Sequence, residues 1–428
     1  MQRPTTQLNL GDLLVLQTYW LGLSFMWNSL HIIILPAVLL HLVPEMFKNT
    51  YLGLLTFGGL IIAMVIQPIS GNLSDRWASR WGRRRPLIAL GTIFDFIFLA
   101  FLGWAGGIVW LAIGYLGLQF SSNIAHGPAQ GLLPDQVPLQ QLGAASGLKN
   151  MMDMVGLVVA SLVMGRIVDP NSLQPIWPVA LVALILAVGA AITILGVREE
   201  PSLPRPQPTV PTEPSAGWFS SLRYDLTSNK PYTWLIVSRF AFLLGIYDIQ
   251  VFAQYYVRDV LSVPNPVQLT GDLLATITIA LIAFAVAGGW LGDRFGHQRL
   301  LTCAGLVSAF GCLLLLAART PLSLLIFGSV LGSGIGLFLT SNWAVANQLA
   351  PTGQAGKFLG FTNLATAGSG AVARLSGPLI DIFNNAWPGA FWGYTGMFLF
   401  GAVCTLASVL FLKRVFAGYT SLPEPVKP

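Results

Sequence analysis

The sequence predicts an all-α integral membrane protein with twelve transmembrane helices, arranged in two six-helix bundles that are related by a parallel repeat. Hydrophobic residues make up 54% of the 428 positions and charged residues only 9%, which is too little charge to cover a water-soluble globule of this size. Apolar runs of about 20 residues, the length that crosses a bilayer, recur along the chain. A basic motif in the first half also returns, in shorter form, roughly half the chain length later.

The apolar runs form two sets of six. The first set covers residues 12–41, 50–74, 86–105, 109–133, 142–168 and 175–197, and the second covers 231–257, 267–291, 299–318, 322–349, 357–382 and 390–413. The polar stretch between them is rich in proline, which breaks helices and favours an extended linker. We therefore expect an N-terminal bundle over residues 1–197, a cytoplasmic linker over residues 198–230, and a C-terminal bundle with a short cytoplasmic tail over residues 231–428.

The placement of lysine and arginine predicts the orientation, because cytoplasmic loops carry an excess of these residues. With a cytoplasmic N-terminus, both basic motifs, the linker and the tail lie in the cytoplasm, whereas only Lys48, Arg258 and Arg319 lie outside. We expect a multi-pass protein of the cell inner membrane with both termini cytoplasmic. The N-terminus lacks the features of a cleaved signal peptide, so the first apolar run is expected to remain as a helix. The net charge of +6 then reflects topology rather than nucleic-acid binding.

The basic motif follows the second predicted helix of each half, from Gly71 to Pro86 and from Gly289 to Arg299. We expect Asp75 to pair with nearby arginines and with the positive N-terminus of the eleventh helix, near residues 356–357. The second copy is expected to set Asp293 against the start of the fifth helix, near residue 143. The predicted latch comprises Gly71, Asp75, Arg76, Gly82, Arg83, Arg84, Arg85, Gly289, Asp293, Arg294, Gly296 and Arg299.

Such contacts between the two halves form only when the cytoplasmic side is closed. They would therefore favour the outward-open state, by about 1–3 kcal/mol on the scale of charge-assisted hydrogen bonds. The alternative is that these arginines serve only to fix the topology.

The first motif, which ends in Gly82-Arg83-Arg84-Arg85-Pro86, resembles the signature loop of the major facilitator superfamily. Its extended form looks like the sucrose-transporter-like branch, which is related to the glycoside-pentoside-hexuronide cation symporters. The stretches Gly22–Trp27 and Gly127–Asp135 are similar to the same branch. The resemblance covers essentially the whole chain. It implies the major facilitator fold and a secondary transporter that works by alternating access, for a sugar or glycoside, with or without a coupled proton.

Two positions depart from that branch. Gln119 and Gln130 stand where sucrose carriers have an aspartate and an arginine. Glutamine can hydrogen-bond a hydroxylated ligand but cannot titrate, so the proton-carrying group usual in that branch is absent. This departure keeps a second class of cargo open, namely a lipid, a pigment or another amphipathic molecule, carried by a transporter or handed to a partner complex by an assembly factor of the same fold.

Polar and ionisable side chains inside the predicted spans mark the candidate substrate site, because an ionisable group in a bilayer costs several kcal/mol unless it is paired or faces a wet cavity. Aromatic rings and amide or carboxylate groups suit sugar rings and hydroxyls, although the same groups also hold helices together. Arg374 suits an anionic group, or else a carboxylate partner in Asp248 or Asp153. The candidates are Asn28, His31, Gln119, Asn123, His126, Tyr247, Asp248, Gln250 and Arg374.

Asp153 and Lys149 lie one turn apart on the fifth predicted helix and are the candidates for ion coupling. In the functional interpretation, Asp153 binds a proton or a cationic group and Lys149 tunes its pKa. In the structural alternative, the two side chains form a mutually satisfied ion pair.

The sequence contains no Walker loop, zinc-ligand spacing or nucleophile elbow in a setting that would confirm an enzyme or a primary pump. Its three cysteines, Cys303, Cys312 and Cys404, all lie in apolar segments and are expected to pack rather than to bind metal. We therefore expect no cofactor, no metal and no enzyme activity. The expected partners are a small-molecule substrate and the lipid bilayer.

Overall fold

The computed structural model describes residues 7–201, 229–350 and 355–417. The first half contains α1 (Leu10–Leu42), α2 (Lys48–Arg76), α3 (Arg85–Gly103), α4 (Ile108–Gln136), α5 (Leu142–Ile167) and α6 (Ile176–Gly196). The second half contains α7 (Lys230–Val260), α8 (Pro266–Phe295), α9 (His297–Ala317), α10 (Pro321–Leu349), α11 (Ala355–Ala373, then Gly377–Ala386) and α12 (Trp392–Ala417). The predicted all-α membrane fold is confirmed.

Eleven of the described helices are long and apolar enough to cross a membrane. The exception is α11, which the sequence predicts as one span over residues 357–382. A 3₁₀ turn at Arg374–Ser376 divides it, and Pro378 in the first turn of the second segment is compatible with this restart because its fixed φ suits a helix N-terminus. The residues just before α11 lie outside the described part of the chain. Most of the predicted linker does too, since residues 202–228 are not described, and so the linker stays a prediction.

Sequence signals set several helix starts. Asn9 and Asp12 form a capping box at the start of α1, with the Asp12 amide donating to Asn9 Oδ1 at 2.8 Å. Thr320 and Ser323 form the corresponding box at the start of α10, which is followed by a proline in the first turn. These caps satisfy amide groups that would otherwise be left unpaired at the membrane boundary.

α1 contains a π-helical turn, Ser29–Ile34, just before Pro36. Because proline has no amide hydrogen, the carbonyl of Ile32 loses its usual helical donor. The Gln254 side chain of α7, with its nitrogen facing α1, donates to that carbonyl at 2.8 Å. The neighbouring Tyr255 hydroxyl donates to the Pro36 carbonyl at 3.1 Å. The irregular turn in α1 therefore bonds to the opposite bundle.

A second set of contacts joins the two bundles at the membrane end opposite the motif loops, which we call the far end. Asp381 of α11 accepts hydrogen bonds from Asn49 Nδ2 at 2.8 Å, Thr50 Oγ1 at 2.6 Å and the Thr50 amide at 2.7 Å. Close helix approach makes this possible, because Gly53 of α2 leaves no room for a Cβ beside the Arg374 carbonyl of α11. We call the contacts of Asp381 with Asn49 and Thr50 the far-end lock.

Ion pairs reinforce the same end. The Lys48 ammonium lies 2.6 Å from Asp259 Oδ2, and both side chains are largely buried. Arg258 Nη1 lies 2.6 Å from Glu45 Oε1. Next to these pairs, Arg166 Nη2 of α5 lies 2.9 Å from Asp272 Oδ1 of α8. Together they tie α2 to α7 and α5 to α8.

At the end that carries the motif loops, no hydrogen bond or ion pair joins the two halves in the described ranges. The hydrogen bonds and ion pairs that join the bundles in the described ranges therefore lie at the far end and at the irregular part of α1.

The far-end lock makes a testable prediction. Replacing Asp381 with asparagine turns one of its two acceptor oxygens into an N–H group that faces other donors. The closed state of the far end should therefore lose about 1–3 kcal/mol of stability, which changes the ratio of closed to open states by about 5- to 150-fold. Spin labels at Gln174 and Trp387, in a background without the native cysteines, would report this change as a larger population of long far-end distances. Asp169→Asn, at an exposed far-end aspartate that makes only a local loop contact, is the control. An unchanged distance distribution in Asp381→Asn would contradict the role of the lock.

Candidate functional site

A cavity of about 470 Å³ lies between the bundles and extends into the C-terminal one. Its lining includes candidates predicted from the sequence, namely Asn28 and His31 of α1, Tyr247 and Gln250 of α7, and Arg374 of α11. The volume falls within the range of ordinary small-molecule sites. Five of the nine predicted substrate residues therefore share one cavity.

The two walls of this cavity differ in chemistry. Most of the lining comes from the C-terminal bundle and is apolar, with side chains from α7, α8 and α10. Its apolar members include Leu243, Ile246, Ile249, Leu273, Leu274, Ile277, Leu281, Leu331, Ile335 and Leu339. The N-terminal wall is smaller and carries an amide and an imidazole from α1. The cavity can therefore bury an apolar group against one bundle while it hydrogen-bonds a polar group at the other.

His31 is held by a hydrogen-bonded chain that runs back into the N-terminal bundle. Gln119 Nε2 donates to the Tyr115 hydroxyl at 2.8 Å, and that hydroxyl lies 2.8 Å from His31 Nε2. The hydroxyl, which can donate one hydrogen and accept two, therefore links Gln119 to the imidazole. The ring has a second nitrogen, Nδ1, on a residue that lines the cavity. The Trp27 ring stacks on the imidazole at 5.1 Å and fixes its plane.

The other predicted N-terminal residues lie behind or beside this wall. Gln119 is buried and acts through Tyr115, and Asn123 Nδ2 donates to the Gln119 backbone carbonyl at 2.7 Å. His126 Nε2 lies 3.3 Å from Gln130 Nε2, and its ring packs edge-on against Trp20 at 4.9 Å. None of the three is part of the cavity lining in this conformation.

Asp153 and Lys149 form the ion pair that their spacing predicts, with Lys149 Nζ 2.8 Å from Asp153 Oδ2. The ammonium also lies over the Trp20 ring, 3.9 Å from its centre. Both side chains keep about a quarter to a third of their surface exposed. Neither residue lines the cavity, whereas Met154 and Leu157 of the same helix do.

Asp248, a predicted substrate residue, is buried outside the cavity. Its side chain is 1% exposed and accepts a hydrogen bond from the Ser376 hydroxyl, at the break in α11. It does not line the cavity. The predicted pairing of Arg374 with Asp248 or Asp153 is not formed, because those carboxylates bond to Ser376 and Lys149 instead.

Arg239 of α7 is a second buried cation on the C-terminal side. Its Nε donates to Thr366 Oγ1 at 3.0 Å and its Nη1 to Asn342 Oδ1 at 2.8 Å. Its guanidinium also lies 5.1 Å from the centre of the Trp343 ring. Thr366 itself lines the cavity, so this arginine stands one residue behind the wall.

The two motif copies share a backbone feature. Gly82 and Gly296 both have φ of +89°, a conformation that side chains with a Cβ rarely adopt. This explains why both copies carry a glycine where the chain turns from one helix into the next.

Their side-chain contacts differ. In the first copy, Asp135 at the end of α4 accepts from Arg83 Nη2 at 2.6 Å and from Arg84 Nε at 2.9 Å. Arg84 Nη2 also lies 2.6 Å from Asp75 Oδ1. In the second copy, Asp293 is 83% exposed, and its one charged neighbour among the described residues is the imidazole of His297 at 3.6 Å. The first copy is thus a packed charge network, and the second is an open turn.

Glu199, just after α6, completes the first network. Its carboxylate accepts hydrogen bonds from the amides of Arg84, at 3.1 Å, and Arg85, at 2.9 Å. Burial raises the pKa of the Glu199 carboxyl, and the two amide donors act in the opposite direction. The motif loop is therefore fastened to the end of the N-terminal bundle.

The predicted latch contacts between bundles are not seen in this conformation. Asp75 pairs within its own bundle, and a Cβ built on Gly143 would meet no atom within 4 Å, so Asp293 does not reach it here. The predicted partner of Asp75 at the start of α11 adjoins residues 351–354, which are not described. The latch therefore stays a prediction.

Several residues of the site were not anticipated from the sequence. Tyr115 lies one turn before Gln119 on α4, and that spacing could have identified it. Ser376 and Thr366 become visible only through their partners on α7. Asp381, Asn49 and Thr50 are joined across a separation of more than 330 residues, which no local pattern reveals.

Comparisons with known proteins show which proteins this chain is similar to. The family model described as MFS/sugar transport protein matches residues 21–384. The multi-drug resistance efflux pump PmrA of Streptococcus pneumoniae is 24% identical over 364 residues, covering 84% of this chain and 85% of that protein. A bacterial homologue of the human lysosomal transporter Spinster, solved in an inward-facing, unoccupied conformation, superposes with a TM-score of 0.69 at 17% identity, covering 95% of each chain. A D-xylose–proton symporter superposes with a TM-score of 0.67 at 16% identity, covering 94% of each chain.

The asymmetry between the motif copies makes a testable prediction. Asp135→Ala should leave two largely buried guanidinium groups without their shared acceptor and destabilise the N-terminal bundle by about 2–3 kcal/mol. The matched change at the second copy, Asp293→Ala, should cost less than about 0.5 kcal/mol because that carboxylate is exposed. Thermal unfolding in lipid nanodiscs, followed by tryptophan fluorescence, would compare the two. Equal shifts in Tm would contradict the interpretation.

Proposed function

The chain belongs to the MFS/sugar transport protein family of the major facilitator superfamily, and we propose that its central cavity carries an amphipathic solute, best a glycoside with an apolar aglycone. It is a multi-pass membrane transporter and not an enzyme. The observation that carries the proposal is that the cavity combines a wall bearing Asn28 and His31 of α1, which we call the polar wall, with a larger surface of mainly apolar side chains from the C-terminal bundle, which we call the apolar wall. A glycoside matches both walls, because its sugar offers hydroxyls and its aglycone offers an apolar surface.

The polar wall supports the sugar part. His31 contributes an imidazole, and Asn28 adds an amide whose Nδ2 is engaged with the Ser24 carbonyl at 2.8 Å, so that its side-chain oxygen is the group left to accept. An imidazole and an amide on neighbouring turns of α1 suit adjacent sugar hydroxyls, which both donate and accept. Tyr247, on the opposite wall, offers a ring face of the kind that stacks on sugars.

The apolar wall supports the aglycone. A simple disaccharide would place hydroxyl groups against leucine and isoleucine side chains, where they would lose hydrogen bonds to water without replacement. The relatives fit a mixed solute, since they include an efflux pump named for multidrug resistance and a neighbour named as a sugar symporter. The same wall also suits a lipid or a pigment, which remains the second candidate cargo.

In this proposal the chain works by alternating access in the cell inner membrane, with the motif loops in the cytoplasm. The conformation described above is then the inward-open one, with the lock closed on the outside. Rocking about the cavity would break the far-end lock and bring the motif copies toward α5 and α11, where the latch residues would engage.

Proteoliposomes containing the protein are expected to take up 4-nitrophenyl β-D-glucoside in a saturable way and sucrose poorly. Methyl, propyl and hexyl β-D-glucosides should compete with affinity rising about fourfold per methylene, because each buried methylene contributes about 0.8 kcal/mol. Protein-free liposomes provide the blank. If no glycoside is carried or stabilises the protein, whereas lipids or pigments do, the glycoside assignment is wrong.

We also propose that Asp153, paired with Lys149, carries a coupling proton. The pair lies beside the cavity-lining residues of α5 and keeps part of its surface exposed. Protonation of Asp153 would release Lys149 and change the charge of this face of the helix by one unit.

The corresponding variant is Asp153→Asn, which keeps the size of the side chain but cannot titrate. We expect it to abolish accumulation of 4-nitrophenyl β-D-glucoside driven by a pH gradient while exchange across the membrane continues. Asp12→Asn, a similar change at the exposed start of α1, should accumulate the glucoside normally. Undiminished accumulation in Asp153→Asn would remove this residue from the coupling mechanism.

A further inference from the structure

Arg374 is a buried charge at the edge of the cavity with no counterion in the described part of the chain. Its side chain is 8% exposed and lines the cavity. The only hydrogen bond that its guanidinium makes within those residues is from Nη1 to the Gly370 carbonyl, at 2.6 Å, and Nε is buried without a partner. A guanidinium carries five N–H donors and a full charge, so most of its bonding capacity is unused.

Other arginines in or beside the helices have a carboxylate partner. Arg166 has Asp272 at 2.9 Å, Arg258 has Glu45 at 2.6 Å, and Arg84 has Asp135 at 2.9 Å. Each of these charges is therefore balanced by a carboxylate. An isolated charge inside a membrane protein is costly, and its persistence within a cavity wall is the usual mark of a ligand contact.

The surroundings of Arg374 strengthen the case. The described lining of the cavity contains no aspartate or glutamate. Arg239, also without a carboxylate among the described residues, bonds to Thr366, which lies one helical turn before Gly370 on the same wall. Both cations therefore act on the same part of the cavity, and nothing on the described wall cancels them.

We propose that the transported solute carries an anionic oxyacid head, such as a carboxylate or a sulfate or phosphate ester, that pairs with Arg374. This inference rests on the proposed function and narrows it to an anionic amphipath. The planar guanidinium offers a fork of parallel N–H groups that matches two oxygens of such a head. The apolar part of the solute then extends along the wall formed by α7, α8 and α10.

The test uses two probes that differ only at one carbon of the sugar, 4-nitrophenyl β-D-glucuronide and 4-nitrophenyl β-D-glucoside. Binding of each to the full-length protein in phosphatidylcholine nanodiscs is measured by calorimetry, with empty nanodiscs as the blank. We expect the wild type to bind the glucuronide about 10- to 100-fold more tightly than the glucoside. Arg374→Gln should lose this preference, and its thermal unfolding in the same nanodiscs, compared with that of the wild type, reports that the variant is folded.

Two further variants sharpen the result. Arg374→Lys keeps the charge but not the fork, so it should retain only part of the preference. Arg319→Gln removes a charge just after α9 whose guanidinium hydrogen-bonds to backbone carbonyls, and it should leave the preference for the glucuronide unchanged.

Repeating the titration in nanodiscs with phosphatidylglycerol identifies the source of the anionic head. Competition that depends on Arg374 assigns the head to a membrane lipid, and absence of competition assigns it to a water-borne solute.

The outcomes separate this inference from the proposed function. Equal binding of both probes to the wild type would overturn the anion site and leave a glycoside carrier. A glucuronide preference that survives in Arg374→Gln would overturn the assignment to this residue. Binding of neither probe, in either lipid, would reject the proposed function together with the inference.

Discussion

The far-end lock between Asp381 and the start of α2 is the interaction on which the rest of this conformation depends. The Asp381 carboxylate accepts hydrogen bonds from the Asn49 side-chain amide, the Thr50 hydroxyl and the Thr50 backbone amide, all from the opposite bundle. The lock needs α2 and α11 to approach closely, and this is why glycine stands at positions 53 and 377, where each faces a backbone carbonyl of the other helix. The cavity lies on the inner side of this closed end, and its lining includes Tyr256 and Phe398 from the far-end parts of α7 and α12.

Because the chain contains few charged residues, the partner of each one indicates its role. In a chain with 9% charged residues, most ionisable side chains near the membrane are paired, and the pairs fall into two groups. One group, at the far end, joins the bundles. The other, around Asp135 and the first motif, lies within one bundle. The repeat therefore preserved the turn geometry in both motif copies but placed a rigid charge network in only one of them.

The sequence predicted what depends on local pattern, which includes the fold class, the helix order, the motif loops and the pairing of Lys149 with Asp153. It predicted less well what depends on which helices meet. Asp248 was expected in the cavity because it is polar and lies on α7, yet its partner is Ser376, more than 120 residues away. The lock was missed for the same reason, since Asp381 and Asn49 are separated by 332 residues. The break in α11 was missed because the stretch was interpreted as one span, although Pro378 is a local signal for a helix start.

That break connects the substrate site to the lock. Within residues 374–381, α11 supplies the cavity cation, the hydroxyl that holds Asp248, the glycine that touches α2 and the carboxylate of the lock. A continuous helix would move all four as one rigid body. The 3₁₀ turn at Arg374–Ser376 carries the first two groups and the following helical segment carries the last two, so a change of geometry at this turn moves the cation relative to the lock. In an alternating-access carrier, binding must bias the gate without opening both ends at once, and a jointed helix that carries both groups is a physical means of meeting that requirement.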